Sequence, residues 1–442
     1  MKRFCYLLFF VCGIFGTNDL TAQQANSPYS RFGLGDLIAP MGVPSMSMGG
    51  LGVSYYNPVG LNMTNPALLT ANNLTIFEGG ASVEEKLLKG TNGQQRDFFG
   101  NLDYLAFGFP IARRVRLGMG IQPYSRVNYQ NILIQKIEGS DRFAEYFYEG
   151  SGGMTQGYLS GAVEVLRGLS FGAQFFYNFG SSTNQSRSRI LGGDFVLSPQ
   201  AQIESIQLTD RVSYSDWNFK LGGHYRYRLP NQAYINIGAT YEPATNISST
   251  RYRALEAVNY TLVVIGRDTL LNDQSIAPRL PERFTAGISL QKPLNEAGRS
   301  RSPLSYTIGG EVSWQDWEQS ADVNFQEALG QYLRVSVGGE ITPNIVDATS
   351  GYLSKITYRA GLRYERTPFA PDGIRFEERS VSFGVSIPNP KPLNRYQGFS
   401  RLHIGMAYGQ RKADGQALSE TFFRLHLGLT IQQPWFYRRR YE

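Results

Sequence analysis

Cysteine is nearly missing from this chain, which has only Cys5 and Cys12 among 442 residues. Both lie in residues 1–22, where two basic residues precede a short apolar run and a small-residue cleavage point at Ala22, as in a secretory signal peptide. The expected mature chain therefore has no cysteine, which excludes disulfides, thiol catalysis and cysteine-based metal sites. The bulky residues before Cys12 do not form a lipoprotein cleavage site, so we expect no lipid anchor.

The sequence after residue 22 also lacks an apolar run long enough for a transmembrane helix. Its three histidines, His224, His403 and His426, are too far apart in sequence for a local zinc motif. Residues 168–172 match the nucleophile pattern G-x-S-x-G, but they open an alternating strand rather than the strand-to-helix turn that this motif requires. We therefore predict no catalytic residue, no metal site and no cofactor, and we expect a protein that is not an enzyme.

What the chain has in abundance is side-chain alternation with a period of two, the pattern of a β-strand with one apolar and one polar face. In residues 421–431 the odd positions from Phe423 onward are apolar, whereas Arg424, His426 and Thr430 lie on the other face. Many such strands behind an export signal predict an all-β protein, a transmembrane antiparallel β-barrel in the cell outer membrane. The net charge of +7 would suit nucleic acid, but the export signal argues against that partner.

Short turns near 109–113, 166–169 and 229–232 alternate with long connections, as in barrels whose short turns face the periplasm. This pattern predicts about fourteen strands within residues 71–431. Their predicted bounds are 74–84, 98–110, 113–127, 153–166, 169–182, 214–228, 232–247, 280–292, 303–318, 330–343, 351–367, 376–388, 400–410 and 419–431. The long polar connections are predicted at 85–97, 128–152, 183–213 and 251–278, with hairpin extensions above the membrane at 188–211 and 251–266.

A charge on the lipid face near the bilayer midplane costs roughly 2–4 kcal/mol, so the charged face of each strand is predicted to face the lumen. The inward set is mostly basic and comprises Arg114, Arg116, Lys220, Arg226, Arg228, Arg283, Arg334, Lys355, Arg359, Arg363 and Arg424. These residues either create a field for anionic headgroups or an acidic peptide, or pair with lumenal carboxylates and plug carbonyls. The arginine-rich end, 432–442, is predicted as a periplasmic tail that suits lipid headgroups or an acidic partner.

Residues 23–70 do not alternate, because glycine, proline and Asn-Pro pairs impose turns and short helical pieces. Such a segment cannot lie exposed in lipid, and a fourteen-stranded wall encloses more space than its own side chains fill. We therefore predict an N-terminal hatch in the lumen. The order Met-Gly-Gly, Tyr-Tyr-Asn-Pro and Asn-Pro-Ala, the last at Asn65, Pro66 and Ala67, resembles the hatch of FadL-type long-chain fatty acid transporters.

The resemblance covers essentially the mature chain and implies a fourteen-stranded barrel. In this family a hydrophobic ligand passes the hatch and leaves sideways through a gap at a kink in strand three. The start of the chain also resembles outer-membrane proteins of Bacteroidota, in which PorV-like barrels serve secretion machinery. Pro123 removes a ladder donor from the third predicted strand, and Gly118 and Gly120 soften it, so these are candidate lateral-gap residues. Alternatively, Pro123 lies just above the membrane, where its strand enters a loop.

Two functions are compatible with the sequence. The first is an outer-membrane channel for passive uptake of hydrophobic or amphiphilic small molecules, with lateral exit near strand three. The second is a non-enzymatic structural or shuttle subunit of an outer-membrane complex such as a secretion system, with protein partners at its long extracellular loops. A channel predicts a continuous apolar pocket and a gap beside strand three. A subunit predicts a plugged lumen and an apolar patch on the long loops.

Overall fold

A closed wall of β-strands dominates the computed structural model of this chain. The structure describes residues 27–31, 33–90, 93–191, 205–259, 261, 263–292, 304–318, 329–343, 351–368, 375–389, 399–413 and 419–434. The predicted signal, 1–22, and the predicted tail beyond Pro434 lie outside the described residues.

The described strands follow one another along the chain with short helical pieces between some of them. They are β1 (Asp36–Leu37), β2 (Thr75–Gly90), β3 (Gly93–Pro110), β4 (Val115–Pro123), β5 (Ser125–Lys136), β6 (Phe143–Leu166), β7 (Leu169–Leu191), β8 (Ser205–Arg228), β9 (Tyr234–Glu242), β10 (Thr245–Asn246), β11 (Ser249–Val258), β12 (Val264–Ile276), β13 (Arg279–Leu280), β14 (Arg283–Lys292), β15 (Ser305–Asp316), β16 (Gln331–Thr342), β17 (Thr357–Arg366), β18 (Phe376–Pro388), β19 (Phe399–Ala413) and β20 (Ser419–Gln433). The described helices are α1 (Val43–Met46) and 3-10 turns at Pro28–Arg31, Pro66–Ala71 and Tyr352–Lys355. None of these helices is long and apolar enough to cross a membrane.

The wall closes because its last strand pairs with its first, from Thr75 opposite Gln433 to Lys89 opposite Ser419. The other wall pairs are antiparallel as well. Three wall positions are each built from two strands in series, namely β4 with β5, β9 with β11, and β14 with β12. β6 pairs with both β4 and β5, and β8 pairs with both β9 and β11. In turn β9 pairs with β14, and β11 pairs with β12. The prediction of a fourteen-stranded antiparallel barrel is confirmed.

Alternation assigns the two faces of the wall as the sequence predicts. In β8 the exposed fraction is 64% for Trp217 and 2% for Lys220. In β16 Val337 is exposed, whereas its neighbours Arg334 and Ser336 are buried. A water-soluble sheet would bury its apolar face, so exposed apolar side chains around a polar interior identify the outside of the wall as the surface that meets lipid.

Aromatic side chains mark both edges of this apolar surface on β8. Trp217 lies at the upper edge against Tyr177, with 4.8 Å between the ring centroids. Tyr225 and Tyr227 lie at the lower edge, near the short turn to β9. The stretch from Trp217 to Tyr227 rises about 33 Å along the strand, or about 25 Å along the membrane normal for a strand tilted by about 40°. That height matches the apolar band of outer-membrane barrels.

The long connections contain more strand than the sequence predicts. Each of the stretches predicted as polar connections includes strand residues, namely 85–97, 128–152, 183–213 and 251–278. β5 thus reaches Lys136 and β6 begins at Phe143, while β7 reaches Leu191 and β8 begins at Ser205. These strands continue because ladder hydrogen bonds persist above the membrane. Outside the membrane neither face has to be apolar, so the alternation used for the prediction disappears.

Residues 27–72, here called the lumenal segment, run through the interior of the wall. Their hydrogen-bond partners lie on strands around the barrel, in the pairs Ser27–Glu420 (β20), Gly49–Ser382 (β18), Ser54–Ser289 (β14), Asn65–Gly223 (β8) and Thr70–Ser170 (β7). Glycine makes room for the segment, since a Cβ on Gly238 would lie 1.9 Å from the Val53 carbonyl oxygen. Contacts to opposite sides of a closed wall place the segment inside it. The domain bounds at 22/23, 70/71 and 431/432 stay predictions.

Candidate functional site in the lumen

The Asn65 side chain fixes the lumenal segment to the wall. It accepts a hydrogen bond from the Ala67 N–H at 3.0 Å and so caps the 3-10 turn that begins at Pro66. Its amide also donates to the carbonyls of Val53 and Gly223, at 2.9 and 3.0 Å. Because this side chain is fully buried, each of these bonds is expensive to break. The three residues selected from sequence as a hatch motif therefore form one anchor between the segment and β8.

Two wall carboxylates hold the segment on the opposite side of the lumen. The Glu311 carboxylate accepts the N–H groups of Gly52 and Val53, at 2.7 and 2.8 Å. The Glu340 carboxylate accepts the Tyr55 hydroxyl at 2.8 Å. Hydrogen bonds to a charged acceptor are stronger than neutral ones, so the middle of the segment is firmly bound to β15 and β16.

Most of the predicted inward basic residues are paired with carboxylates. The shortest side-chain distances are Arg334–Glu311 2.9 Å, Arg359–Glu340 2.9 Å, Arg363–Glu378 3.1 Å, Arg424–Glu84 3.1 Å, Lys220–Glu242 3.1 Å and Arg283–Glu242 3.9 Å. Arg116 donates to the Asn72 and Ala112 carbonyls instead. The pairing interpretation therefore describes these residues, and their positive field is largely neutralised within the wall.

Three predicted inward residues lie at or beyond the ends of the wall strands. Arg114 and Arg228 are exposed beside the short turns at the ends of their strands. Lys355 lies in the 3-10 turn before β17, outside the wall ladder. Exposure at a strand end does not assign a side chain to one face, so the inward orientation of these three residues stays a prediction.

Arg226 is held by aromatic rings rather than by a carboxylate. Its guanidinium carbon lies 3.8 Å from the ring centroid of Tyr56 and 3.9 Å from that of Tyr234. Tyr56 belongs to the lumenal segment and Tyr234 to β9, so this cation–π sandwich joins the segment to the wall at its periplasmic end.

The wall ladder is interrupted at the third strand position. β4 pairs with β3 only as far as Leu105 and Ile121, and it ends at Pro123. The strand resumes after Tyr124 as β5, which pairs with β6 but, in the described part of the chain, has no ladder to β3. We call the space between β3 residues 93–104 and β5 the lateral gap. Pro123 stands where the ladder ends, and its strand continues beyond it rather than entering a loop.

Gly118 and Gly120 lie below this interruption and make room for side chains. A Cβ on Gly118 would lie 3.3 Å from Leu69 of the lumenal segment. A Cβ on Gly120 would lie 2.6 Å from the Tyr158 hydroxyl on β6. Their positions therefore serve close packing inside the barrel, next to the ladder that remains intact.

The lumenal segment covers the lower part of the β5 edge that faces the gap. Asp36 and Leu37 form β1, which pairs antiparallel with Arg126 and Ser125. Above this pair the Ser27 N–H donates to the Asn128 carbonyl at 3.0 Å. The edge left open by the missing β3 ladder thus receives backbone partners from inside the barrel.

Side chains bridge the gap and tie its cover to the wall. The Arg126 guanidinium carbon lies 4.2 Å from the ring centroid of Phe99 on β3. Asp36 binds Arg411 at 2.9 Å and Lys86 at 3.8 Å. Sequence reasoning missed all of these residues. A signal for them was hard to find, because the partners of an unpaired edge are set by folding of the segment rather than by alternation.

Two cavities flank residues 37–39 of the segment. The larger encloses about 1180 Å³, part of it open to solvent, and reaches the lateral gap at Phe99 and Arg126. Its other lining includes charged residues of β2, β17, β18, β19 and β20. The smaller encloses about 420 Å³ beside charged residues of β8, β9, β14 and β16. Both cavities are lined largely by polar and charged side chains.

One serine–histidine pair lies on the wall. The Ser386 hydroxyl contacts His403 Nδ1, while the Thr430 hydroxyl lies 2.8 Å from His403 Nε2. Arg359 also donates to Ser386. Because the imidazole is held by a second hydroxyl and the serine oxygen by a guanidinium, the arrangement fits a packed polar network rather than an activated nucleophile. Within the described ranges, no three His, Asp or Glu side chains converge as metal ligands.

A family model named BamG matches the whole chain, residues 1–442. The chain belongs to the BamG family. Comparison with curated proteins gives no match. Membership of the BamG family therefore rests on the full-length model, and the fold can be compared with solved structures.

Three of the solved structures similar to this BamG-family chain are outer-membrane-type barrels. They are the CymD monoaromatic hydrocarbon channel (16% identity, TM-score 0.54, 92% of this chain and 100% of that one), the Ralstonia pickettii toluene transporter TbuX (16%, 0.56, 89% and 98%) and a Pseudomonas aeruginosa FadL homologue (14%, 0.54, 90% and 99%). At these identities the similarity shows the fold. The resemblance to FadL-type barrels is thus confirmed for the fold, while the relation to Bacteroidota and to PorV stays a prediction.

Proposed function

We propose that this chain is a non-enzymatic structural subunit of an outer-membrane complex, with a lumen closed by its own N-terminal hatch. The observation that carries the proposal is the binding of the Gly52 and Val53 N–H groups by the buried Glu311 carboxylate. A solute crossing the lumen would have to displace these bonds and pass through charged cavities. An apolar solute would strip water from these charged and polar groups, which is unfavourable, so the lumen opposes hydrophobic passage.

Exposed apolar side chains outside the membrane also support a role in a complex. Ile132, Leu133 and Ile134 are consecutive residues of β5 and all are exposed. Val263 and Ile265, before and within β12, add to the exposed apolar residues of the extracellular strands. Exposed apolar side chains clustered on a wet part of a protein are a feature of interaction sites.

The size of the native particle tests this proposal. Outer membranes from cells that produce the protein are dissolved in mild detergent, and the particle is sized on a native gel with an antibody to the chain. We expect a particle much larger than a detergent-bound 49.4 kDa chain, and we expect high salt to leave it intact. A purified, refolded barrel serves as the size control. A native particle that runs with this control in several mild detergents contradicts the proposal.

A channel with lateral exit is the second candidate, and the lateral gap favours it. The larger cavity reaches the gap beside Arg126, which suits an amphiphile whose charged head enters the cavity while its tail stays in lipid. CymD is a monoaromatic hydrocarbon channel and TbuX a toluene transporter, and an equivalent role here would need an apolar path past the charged lining of the larger cavity.

Flux into lipid vesicles separates the two candidates. Toluene or an anionic amphiphile is added outside lipid vesicles that contain the purified barrel. The rate at which the solute enters these vesicles is compared with its rate of entry into protein-free vesicles. A channel predicts faster entry of the amphiphile and a further increase in a Phe99→Ala variant, which widens the gap. Entry equal to that of protein-free vesicles for both solutes contradicts the channel and leaves the subunit proposal standing.

A further inference from the structure

We propose that the open edge of β5 along the upper part of the lateral gap, residues 131–136, docks an extended β-strand of a different protein at the outer surface of the membrane. The inference rests on the proposed function as a subunit and states how one partner is held. It depends on the direction of the backbone groups, the exposure of the side chains and the position of this edge relative to the membrane.

The odd-numbered residues of β5 direct their backbone groups toward β6. At the turn between the two strands the Ile137 N–H donates to the Arg142 carbonyl at 3.0 Å. The register continues without a shift through the pair Leu133–Tyr146. In an antiparallel ladder the hydrogen-bonded pairs recur every second residue, so Leu133 bonds with β6 as Ile137 does.

The even-numbered residues direct their backbone groups to the other edge. The Asn128 N–H donates to the Ser30 hydroxyl at 3.0 Å, and its carbonyl accepts the Ser27 N–H at 3.0 Å. By the same alternation the N–H and C=O groups of Ile132 and Ile134 point away from β6. The lumenal segment covers this edge at Asn128, and no ladder to residues 131–136 exists on that side within the described ranges.

The side chains of this edge are apolar on both faces. The exposed fractions of Ile132, Leu133 and Ile134 are 54%, 49% and 56%. Successive side chains of a strand point to opposite faces, so a partner strand beside them would find apolar contacts above and below its own backbone. An edge with free backbone groups and exposed β-branched residues is a template for a further strand.

Lipid is not the cover of this edge, because charged side chains lie on the same face of the sheet. Ile134 is paired across the ladder with Glu145, which forms an ion pair with Arg189 of β7. Ile132 is paired with Phe147, and the Arg187 guanidinium carbon lies 4.6 Å from that ring centroid. Charges on a hydrocarbon-facing surface are costly, so this part of the sheet stands in water outside the bilayer.

The occupant is an extended strand of another protein rather than a second copy of this chain. β1 already shows that the β5 edge accepts an extended segment lower down, at Arg126 and Ser125. Two copies in one membrane share the same orientation, so their β5 strands rise in the same direction. A two-fold axis then places identical edges face to face with donor opposite donor, which forms no ladder.

Hydrogen exchange measures whether the edge is covered. The exchange of a peptide spanning residues 131–136 is followed in intact outer membranes of producing cells and in the purified barrel in mild detergent. We expect exchange of the edge amides to be about tenfold slower or more in the membranes, where partner bonds protect them. Equal exchange in both preparations overturns the inference, and this arm needs no variant.

Proline variants test whether the backbone holds the partner. The double substitution Ile132→Pro and Ile134→Pro removes two N–H groups from the open edge. The N–H groups of β5 that donate to β6 remain. The matched control, Ile132→Val and Ile134→Val, keeps both donors and the apolar surface. With a photo-crosslinking residue at position 131, we expect an adduct in the wild type and the valine control and at least a tenfold loss in the proline variant. A change of gel migration on boiling verifies that each variant is folded.

The outcomes separate this inference from the function on which it rests. An adduct that persists in the proline variant, an equal loss in the valine control, or an adduct with the mass of two copies of this chain overturns strand docking at β5. If the large native particle remains while the edge exchanges freely, the partner binds elsewhere and the subunit proposal stands. If the particle itself is missing, the proposed function fails first.

Discussion

The wall around β15 and β16 and the wall around β3, β4 and β5 follow the same alternation of side chains, yet only the first is continuous. β15 and β16 pair without a shift from Ser305–Thr342 to Asp316–Gln331. The ladder between β3 and β4 stops at Leu105–Ile121. Alternation therefore determines which face meets lipid. Continuity of the ladder depends on local breakers such as Pro123 and on what the lumen offers to an open edge.

The two regions also hold the lumenal segment in different ways. On the continuous side a wall side chain, Glu311, accepts backbone N–H groups of the segment. On the gap side the segment becomes a strand, and its backbone at Asp36 and Leu37 pairs with β5. The first kind of contact can be lost by one substitution, whereas the second depends on the path of the β5 backbone. Four experiments exploit this difference.

The largest effect is expected on the continuous side. Glu311→Ala leaves the Gly52 and Val53 N–H groups without their acceptor and the buried Arg334 guanidinium without its carboxylate. Removing one partner of a buried ion pair costs about 3–5 kcal/mol. We expect the free energy of unfolding in urea to fall by about this amount. Glu138→Ala, at an exposed turn position, is the control. Equal stability of the two variants would show that the segment is not held there.

A glycine substitution should disrupt the pairing of β1 with β5 on the gap side. Gly153 of β6 has φ +141°, and a Cβ there would lie 2.3 Å from the Ser125 carbonyl oxygen at the start of β5. Gly153→Ala combines backbone strain of about 1–3 kcal/mol with this clash, so β5 must shift and release β1. We expect faster hydrogen exchange in residues 33–38. Gly157→Ala meets only the Phe179 ring, at 3.9 Å, and should leave that exchange unchanged.

Neighbouring phenylalanines provide a finer test of the gap. Phe99→Ala removes the ring beneath Arg126, an interaction of about 0.5–2 kcal/mol, and widens the opening to the larger cavity. With a single reporter, Ser82→Cys, in that cavity, we expect faster reaction with a membrane-impermeant thiol reagent. Phe98→Ala changes the exposed ring next in sequence and should not alter the rate. Equal rates in both variants would show that the stack does not close the gap.

The smallest effect is expected in the extracellular extension of the sheet, where pH provides the probe. Burial raises the pKa of Asp210, but hydrogen bonds from Arg251 and Arg253 outweigh it and hold the pKa below its usual value of 3.8. A carboxyl group with a lowered pKa stabilises the fold above its unfolded pKa, and this contribution is lost as pH falls through the folded pKa. Below about pH 4, the protection of residues 249–258 against hydrogen exchange, measured relative to the intrinsic rate at the same pH, should therefore be lower than at about pH 6. Asp210→Asn should remove most of this difference, and a pH response unchanged by the substitution would assign it to other groups.

The transmembrane part of the fold could be predicted from sequence because lipid imposes one rule at every position. The residue types alone assign Trp217 to the lipid face and Lys220 to the lumenal face. A shift of several residues in the strand bounds does not alter that assignment. The strand residues within the predicted connection 128–152 could not be found in this way. At Asn131 and Gln135 polar residues sit on strand faces that water wets on both sides, so no period of two remains.

The candidate site was predicted in part. Pro123 could be identified because a missing N–H has the same consequence in any strand. Its neighbours across the gap could not, since the stack of Phe99 on Arg126 joins strands that share no ladder. The inward arginines were found, but their partners were not, as in the case of Arg334 with Glu311. Choosing between a basic field and neutral pairs required the distances between specific atoms.

The seam, where β2 pairs with β20, sets the order of events in assembly of the barrel. It joins the first wall strand to the last across fifteen residue pairs. The cylinder consequently stays unsealed until Gln433 has emerged, long after residues 27–72 have been synthesised. Residues 27–72 must therefore lie inside the incomplete barrel before β2 and β20 pair, because later entry would require that pairing to open again.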